Sequence, residues 1–172
     1  MEYSPFTNPT EDVMVYTYMG ERSMGGKMNH NKKPDAKNGR YYEDMMISYR
    51  DSNNAWTEPK PLKSINTKSN DACVGMSTNG DHLYTYNIKG NDNGDIYESV
   101  YLNDTTWSKP TPLKGYINSE YWEGSIAVSI DGQTAYFSSQ RVGGFGGSDI
   151  YSAKLQKDGS WGEITNLGPE IN

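Results

Sequence analysis

Short runs of alternating hydrophobic and polar residues occupy most of the chain, and glycine, asparagine, aspartate and proline separate them. The C-terminal third shows the pattern most clearly, with such runs at 125–130, 134–139, 149–155 and 160–165. Asp131-Gly132 and Asp158-Gly159 separate the two pairs of runs. Alternation with a period of two around Asp-Gly turns predicts antiparallel strands joined as hairpins. No stretch sustains the 3.6-residue period of an amphipathic helix, so almost no helix is expected.

The same arrangement occurs three times. Three tryptophans lie 51 and then 54 residues apart, at Trp56, Trp107 and Trp161. An aspartate precedes each tryptophan by 12 residues, at Asp44, Asp95 and Asp149. An asparagine closes each unit, at Asn66, Asn118 and Asn172. Repeats of about 50 residues with four predicted strands each are typical of β-propeller blades.

The repeat predicts an all-β protein of three four-stranded antiparallel blades, spanning 1–66, 67–118 and 119–172. The second unit predicts strands at 73–78, 83–87, 95–102 and 106–110, and the first at 3–7, 13–18 and 44–49. Closed propellers have about four to eight blades. We therefore expect a fragment of a larger, about six-bladed propeller, whose remaining blades come from the same longer chain or from a second copy.

The first unit carries an insertion at about 20–43. Twenty-six positions separate Tyr18 from Asp44, whereas nine separate Tyr86 from Asp95. Six basic residues and the single acidic Asp35 between 22 and 40 give a charge of 6 − 1 = +5. The segment is either a solvated loop or a binding loop for an acidic partner. The second interpretation makes its basic residues binding candidates: Arg22, Lys27, Lys32, Lys33, Lys37 and Arg40.

Two neighbouring residues, Trp122 and Glu123, are further binding candidates. Trp122 departs from the repeat pattern between the second and third units. Glu123 opens a predicted inner strand, as Asp71 and Glu2 do in the other units. These carboxylates either line an acidic funnel or bond the neighbouring blade, with Arg22 or Arg141 as partner. We favour the second interpretation.

The recurring aspartates Asp44, Asp95 and Asp149 are better explained as structural residues than as catalytic ones. Equivalent places in three blades spread them around a ring, so they do not share one pocket. We predict that they accept backbone N–H bonds from the glycine-rich connection before their strand. That connection leads into a strand, whereas a phosphate-binding loop opens a helix. We therefore predict no catalytic residue and no enzyme activity in this chain.

Composition excludes several other classes of function. A formal charge of −6 argues against a nucleic-acid partner, because phosphate binding requires clustered cations. A single cysteine, Cys73, excludes an intrachain disulfide. The oxygen-rich run at 91–95 lacks the ligand spacing of a known calcium loop, and the two histidines have no paired zinc spacing. We expect no metal, no cofactor and no membrane span, and the N-terminus lacks the pattern of a signal peptide.

The third unit carries a set of motifs that points to a family. It reads SIDGQTAYF, then RVGGFGGSDIY, then a tryptophan strand, and closes with NLGPEIN. The second unit keeps an Asn-Gly turn, GDIY and WSKP, and the first keeps WTEP. Together these motifs resemble the TolB-like, WD-repeat-like β-propeller repeat of OmpA-family envelope proteins, some of which belong to type IX secretion machinery.

The resemblance implies a non-catalytic scaffold in the periplasm or at the outer membrane. Its expected partner is an envelope protein or a peptidoglycan-associated complex. The alternative is a glycan-recognising or substrate-gating propeller of an enzyme whose catalytic part lies outside this chain. A glycan site needs an aromatic face open in a cleft, so a buried Trp122 would weaken that alternative.

Overall fold

The chain folds into three antiparallel sheets. A computed structural model describes residues 1–24, 33–34, 39–87, 94–103 and 106–172, and these residues form thirteen strands and no helix. Blade 1 contains β1 (Glu2–Thr7), β2 (Val13–Met19), β3 (Glu43–Tyr49) and β4 (Lys60–Pro61). Blade 2 contains β5 (Asp71–Met76), β6 (His82–Asn87), β7 (Asp95–Asn103), β8 (Thr106–Trp107) and β9 (Thr111–Pro112). Blade 3 contains β10 (Glu123–Val128), β11 (Thr134–Ser139), β12 (Asp149–Leu155) and β13 (Trp161–Asn166).

The first strands of blades 2 and 3 begin and end two residues earlier than predicted. Their hairpins turn through four residues, because Gly80 N–H donates to the Ser77 carbonyl at 2.9 Å and Gly132 N–H to that of Ser129 at 2.8 Å. Both glycines have positive φ, 77° and 71°, a conformation that a side chain disfavours. The turns therefore start at the serines and end the strands before them.

The prediction of one fourth strand at 106–110 in blade 2 was wrong. Two two-residue strands, β8 and β9, pair with β7 instead. Between them, Ser108 makes side-chain contacts with β7: Val100 N–H donates to its hydroxyl at 2.9 Å, and the Ser99 hydroxyl donates to its carbonyl at 2.5 Å. Pro110 and Pro112 lack an N–H for regular pairing.

Inner strands β1, β5 and β10 lie side by side. Strand β5 contacts both β1 and β10. Cys73 N–H in β5 donates to the Thr17 hydroxyl of blade 1 at 2.9 Å. On the other side, the Ile126 carbonyl of β10 approaches Gly75 so closely that a side chain there has no room. The three sheets therefore stand around a common axis as propeller blades do.

Each buried tryptophan packs against the blade that precedes its own. Trp107 is 3% exposed in the cluster between blades 1 and 2, and Trp161 is 5% exposed in the cluster between blades 2 and 3. Trp56 has no preceding blade within this chain, and it is 37% exposed with the Arg50 guanidinium 4.5 Å from its ring centre. The repeated tryptophan is thus an interblade anchor.

The repeated asparagines close each blade in the same way. Each side chain accepts a hydrogen bond from the backbone N–H of the residue that follows the repeated aspartate. Each amide also donates to the carbonyl of that same residue. The accepting and donating distances are 2.9 and 3.0 Å for Asn66 with Met45, 2.9 and 2.8 Å for Asn118 with Ile96, and 2.6 and 3.1 Å for Asn172 with Ile150.

Candidate partner-binding face

Trp122, Glu123 and Arg22, three of the sequence-predicted binding residues, lie toward one end of the blades, here called the loop face. Strands β1, β5 and β10 begin at this end, where Glu2, Asp71 and Glu123 pair in register with Tyr18, Asn87 and Ser139. Strands β2, β6 and β11 end, and strands β3, β7 and β12 begin, at the same end of the blades. The four-residue hairpin turns lie at the opposite end, here called the turn face.

Trp122 is half-buried beside the inner strands. Its indole N–H donates to the Tyr86 hydroxyl at 3.0 Å, and the two rings meet edge to face with centres 6.3 Å apart. Gly124 leaves room for the indole, because a side chain at that position would overlap it. With Tyr3 and Val74, these residues line a pocket of about 350 Å³. Trp122 is therefore neither a core residue nor an open stacking platform.

Glu123 is fully buried, so it does not present its carboxylate to a partner. It accepts hydrogen bonds from Ser119 N–H at 2.9 Å, the Ser119 hydroxyl at 2.6 Å and the Ser139 hydroxyl at 2.7 Å. Arg141 lies 3.3 Å from it and also donates to the carbonyls of Tyr116 and Ile117. Glu123 thus holds the connection between blades 2 and 3, and its arginine belongs to its own blade.

Asp71 makes the equivalent hydrogen bonds, and no ion pair to it occurs among the described residues, which leave out Lys89 at the place equivalent to Arg141. It accepts from Thr67 N–H at 2.5 Å, the Thr67 hydroxyl at 3.1 Å and the Asn87 amide at 2.5 Å. Burial, the largest influence, raises the pKa of Asp71 to about 6. Glu2 is exposed and lies 3.9 Å from the N-terminal amine. The structure shows no contact of Arg22 with any of these three carboxylates within the described residues.

The basic insertion is only partly described. Arg22 pairs with Glu58 at 3.1 Å, and its guanidinium lies 4.8 Å from the centre of the Tyr18 ring. It therefore covers one side of blade 1. Lys33 and Arg40 are exposed. The other predicted basic residues lie outside the described part of the chain: Lys27, Lys32 and Lys37.

The repeated aspartates accept hydrogen bonds from backbone N–H groups, as the described contacts of Asp149 and Asp44 show. Asp149 is buried and accepts from Phe145 N–H at 2.5 Å, Gly146 N–H at 3.0 Å and the Asn166 amide at 3.0 Å. This is the structural role that the sequence predicts. Asp44 is buried and accepts from Met24 N–H. Asp95 is half-buried at the start of β7, and 91–93 of the oxygen-rich run lie outside the described residues.

Apolar side chains on the loop face were missed by sequence reasoning. Val142 is 76% exposed and Phe145 60% exposed on the connection that Asp149 holds. Tyr116 is also exposed, and Arg141, which precedes Val142, donates to its carbonyl at 3.3 Å. We call Tyr116, Val142 and Phe145 the apolar rim. The sequence did indicate an exposed aromatic ring, since Phe145 is the one large side chain within GGFGG. The surrounding glycines were interpreted only as residues that permit a tight turn.

The one described histidine, His82, lies between two carboxylates. His82 on the turn face lies 2.7 Å from Glu98 through one ring nitrogen and 3.5 Å from Asp81 through the other. The hydrogen bond to the Glu98 carboxylate favours the protonated imidazole and so raises the pKa of His82. Within the parts of the chain described above, no three metal-binding side chains cluster, and no helix is long and apolar enough to cross a membrane.

Comparisons with known proteins identify the fold through structure alone. No family model matches the sequence, and no curated protein matches it. TolB from Acinetobacter baumannii superposes with a TM-score of 0.57 at 12% identity, over 96% of this chain and 32% of TolB. A periplasmic gluconolactonase from Pseudomonas aeruginosa, PpgL, superposes with a TM-score of 0.54 at 11% identity, over 96% of this chain and 44% of that protein. The chain thus spans less than half the length of either structure, and its fold is that of a TolB-like β-propeller.

Proposed function

We propose that this chain is part of a non-catalytic scaffold propeller that binds a partner through its loop face. The observation that carries the proposal is the exposed apolar rim. Asp149 fixes the backbone at Phe145 and Gly146, so the Phe145 ring is presented by an ordered connection. Exposed apolar groups that are held in place favour association, because little conformational freedom is lost on binding. Aromatic anchors of this kind often dominate interface energies.

The expected setting is the bacterial envelope. The motifs resemble those of envelope propellers, and the fold is shared with TolB and with a periplasmic enzyme. The expected partner is an envelope protein or a peptidoglycan-associated complex. The apolar rim and Trp122 form the contact surface in this proposal, and the basic insertion that begins near Arg22 adds charge attraction for an acidic partner.

The test compares partner capture by matched variants. The protein is cross-linked in cell-envelope extracts, and captured proteins and muropeptides are identified by mass spectrometry. Phe145→Ala and Val142→Ala should each lose the main partner, whereas Ile130→Ala should retain it. Ile130 is a suitable control because it is 90% exposed on the turn face. Equal capture by all three variants would contradict the proposal.

A catalytic role is the competing candidate, because PpgL is a gluconolactonase with the same fold. His82, whose ring nitrogens face Glu98 and Asp81, is the side chain that a catalytic role would use. Against a glycan-binding role, Trp122 is half-buried and its indole N–H already donates to Tyr86. Hydrolysis of glucono-1,5-lactone by the purified chain, followed by pH-stat titration, separates the two candidates. Turnover above the uncatalysed rate would reject the scaffold proposal.

We further propose that another blade covers the open side of blade 3. Tyr84 and Ile117 of blade 2 are buried under blade 3. Their equivalents in blade 3, Tyr136 and Ile171, are 44% and 63% exposed. Repeats of this kind bury an apolar face by stacking. The covering blade comes from a longer form of this chain or from a second copy.

A further inference from the structure

A cleft on the turn face lies between blades 1 and 2. It has a volume of about 390 Å³, which is in the usual range for a small-molecule site. Two hairpin turns form its rim, and they touch where Gly80 meets Asn8 and Pro9. Aromatic side chains form its base: Tyr49, Tyr101 and Trp107.

The base of the cleft contains two buried polar groups that have no hydrogen-bond partner among the described residues. These are the hydroxyl of Tyr49 and the indole N–H of Trp107, a residue that is itself 97% buried. Tyr101 meets the Trp107 ring edge to face at 5.3 Å and is 38% exposed. Both polar atoms are closed to solvent, so a ligand reaches them only when the Tyr101 ring or another lining side chain moves aside. Buried donors without an acceptor are costly, so they favour a ligand that brings acceptor oxygens.

The rim of the cleft carries carboxylates. Asp12 and Asp81 both line it, and hydrogen bonds from Asn8 and Thr10 hold the pKa of Asp12 below its usual value. Arg50 also lines the cleft, but its guanidinium donates to the carbonyls of Glu11 and Asn54 at 2.8 Å each. Asp12 already accepts from Asn8 and Thr10, and Asp81 from Ser77 and Asn79, so a ligand hydroxyl would bond their remaining lone pairs. Their negative charge repels an anionic ligand.

We propose that this cleft binds a neutral saccharide of about one pyranose ring. Its hydroxyl groups donate to Asp12 and Asp81, its oxygens accept from Tyr49 and Trp107, and its C–H face packs on Tyr101. This combination of an aromatic wall, carboxylates and unpaired donors matches a ligand that has both donors and acceptors on an apolar ring. The site is independent of the loop-face partner and of any catalysis.

The test follows the four indole N–H resonances by ¹H–¹⁵N NMR during titration with glucose, N-acetylglucosamine or glucuronate. Saturable movement of the Trp107 resonance with at least one neutral sugar is the expected result. Glucuronate, which has the same ring and a negative charge, should bind about tenfold more weakly than glucose. Tryptophan-to-phenylalanine variants assign the resonances.

Two variants separate a binding role from a structural one. Tyr49→Phe removes only the buried hydroxyl, so the unfolding midpoint should not fall, whereas sugar affinity should fall about tenfold. Tyr136→Phe, a partly exposed tyrosine of blade 3 that does not line the cleft, should change neither quantity. Tyr101→Ala should also abolish the Trp107 shift. Absence of a saturable Trp107 shift with any sugar, unchanged affinity in Tyr49→Phe, or a shift confined to Trp122 would each overturn the proposal.

Discussion

Two buried carboxylates, Asp71 and Glu123, stand at equivalent places but in different electrostatic surroundings. Both bond a serine or threonine in the connection from the preceding blade. Glu123 also has the Arg141 guanidinium at 3.3 Å, whereas the described neighbours of Asp71 are hydroxyl, amide and backbone groups. Spacing predicted the equivalence of the two positions. It did not predict that Arg141 pairs with Glu123 within the same blade, because the two lie 18 residues apart and the approach of Arg141 depends on how the glycine-rich connection folds.

This difference makes stability depend on pH through Asp71. Its pKa is about 6 in the folded protein and 3.8 as the ordinary value, so the folded state binds more protons between these limits. The contribution is fully present below pH 3.8 and is lost as pH rises through about 6, by about 3 kcal/mol in total. Asp71→Asn should remove this part of the pH dependence in urea unfolding from pH 4 to 7.

Asp131→Asn is the matched control for that experiment. Hydrogen bonds from Ser129 and Gln133 lower the pKa of Asp131, which lies at an exposed turn. Its contribution is present above pH 3.8 and lost only as pH falls further. The control should therefore follow the native protein between pH 4 and 7. Identical pH profiles for Asp71→Asn and the native protein would contradict the assignment.

At the scale of elements, the asparagine contacts explain how each blade ends. An asparagine side chain has a carbonyl oxygen and an NH2 group, so it can pair with both the N–H and the C=O of one residue on the third strand. Alternation predicted where strands exist. It did not predict where the strands end, because the turns begin at Ser77 and Ser129, two residues before the Asn-Gly and Asp-Gly pairs.

Asn118→Ala should therefore destabilise the chain. It leaves the N–H and carbonyl of Ile96 without this partner, which costs about 1–3 kcal/mol when such groups stay out of water. Asn53→Ala, at an exposed turn, should change stability by less than about 0.5 kcal/mol. Urea unfolding at pH 7 measures both. Equal effects would show that the repeated asparagine is dispensable.

At the scale of the whole molecule, interblade packing is unequal along the chain. The sequence predicted three blades, and the structure contains three sheets of four or five strands. The repeat could not reveal the apolar rim or the turn-face cleft, because both combine residues from different parts of the chain. Tyr49 and Trp107, for example, belong to different blades.

Two isoleucines at equivalent positions of blades 2 and 3 show this difference in interblade packing. Ile117 is fully buried between blades 2 and 3, so Ile117→Ala should cost about 2–4 kcal/mol. Ile171 is 63% exposed, so Ile171→Ala should cost less than about 0.5 kcal/mol in the same 172-residue chain. Denaturant unfolding of both variants tests the difference. A large loss for Ile171→Ala would contradict an open face on blade 3.

The direction in which the tryptophans pack has a consequence for folding during synthesis. Domains form from the N-terminus as the ribosome releases the chain. Trp107 and Trp161 each reach back to a blade that has already left the ribosome. Each new blade can therefore pack on a blade that has already folded. Its own face toward the next blade stays exposed until the next repeat leaves the ribosome. The growing end of the chain exposes one unfinished apolar face at a time, which limits the opportunity for mispairing between nascent blades.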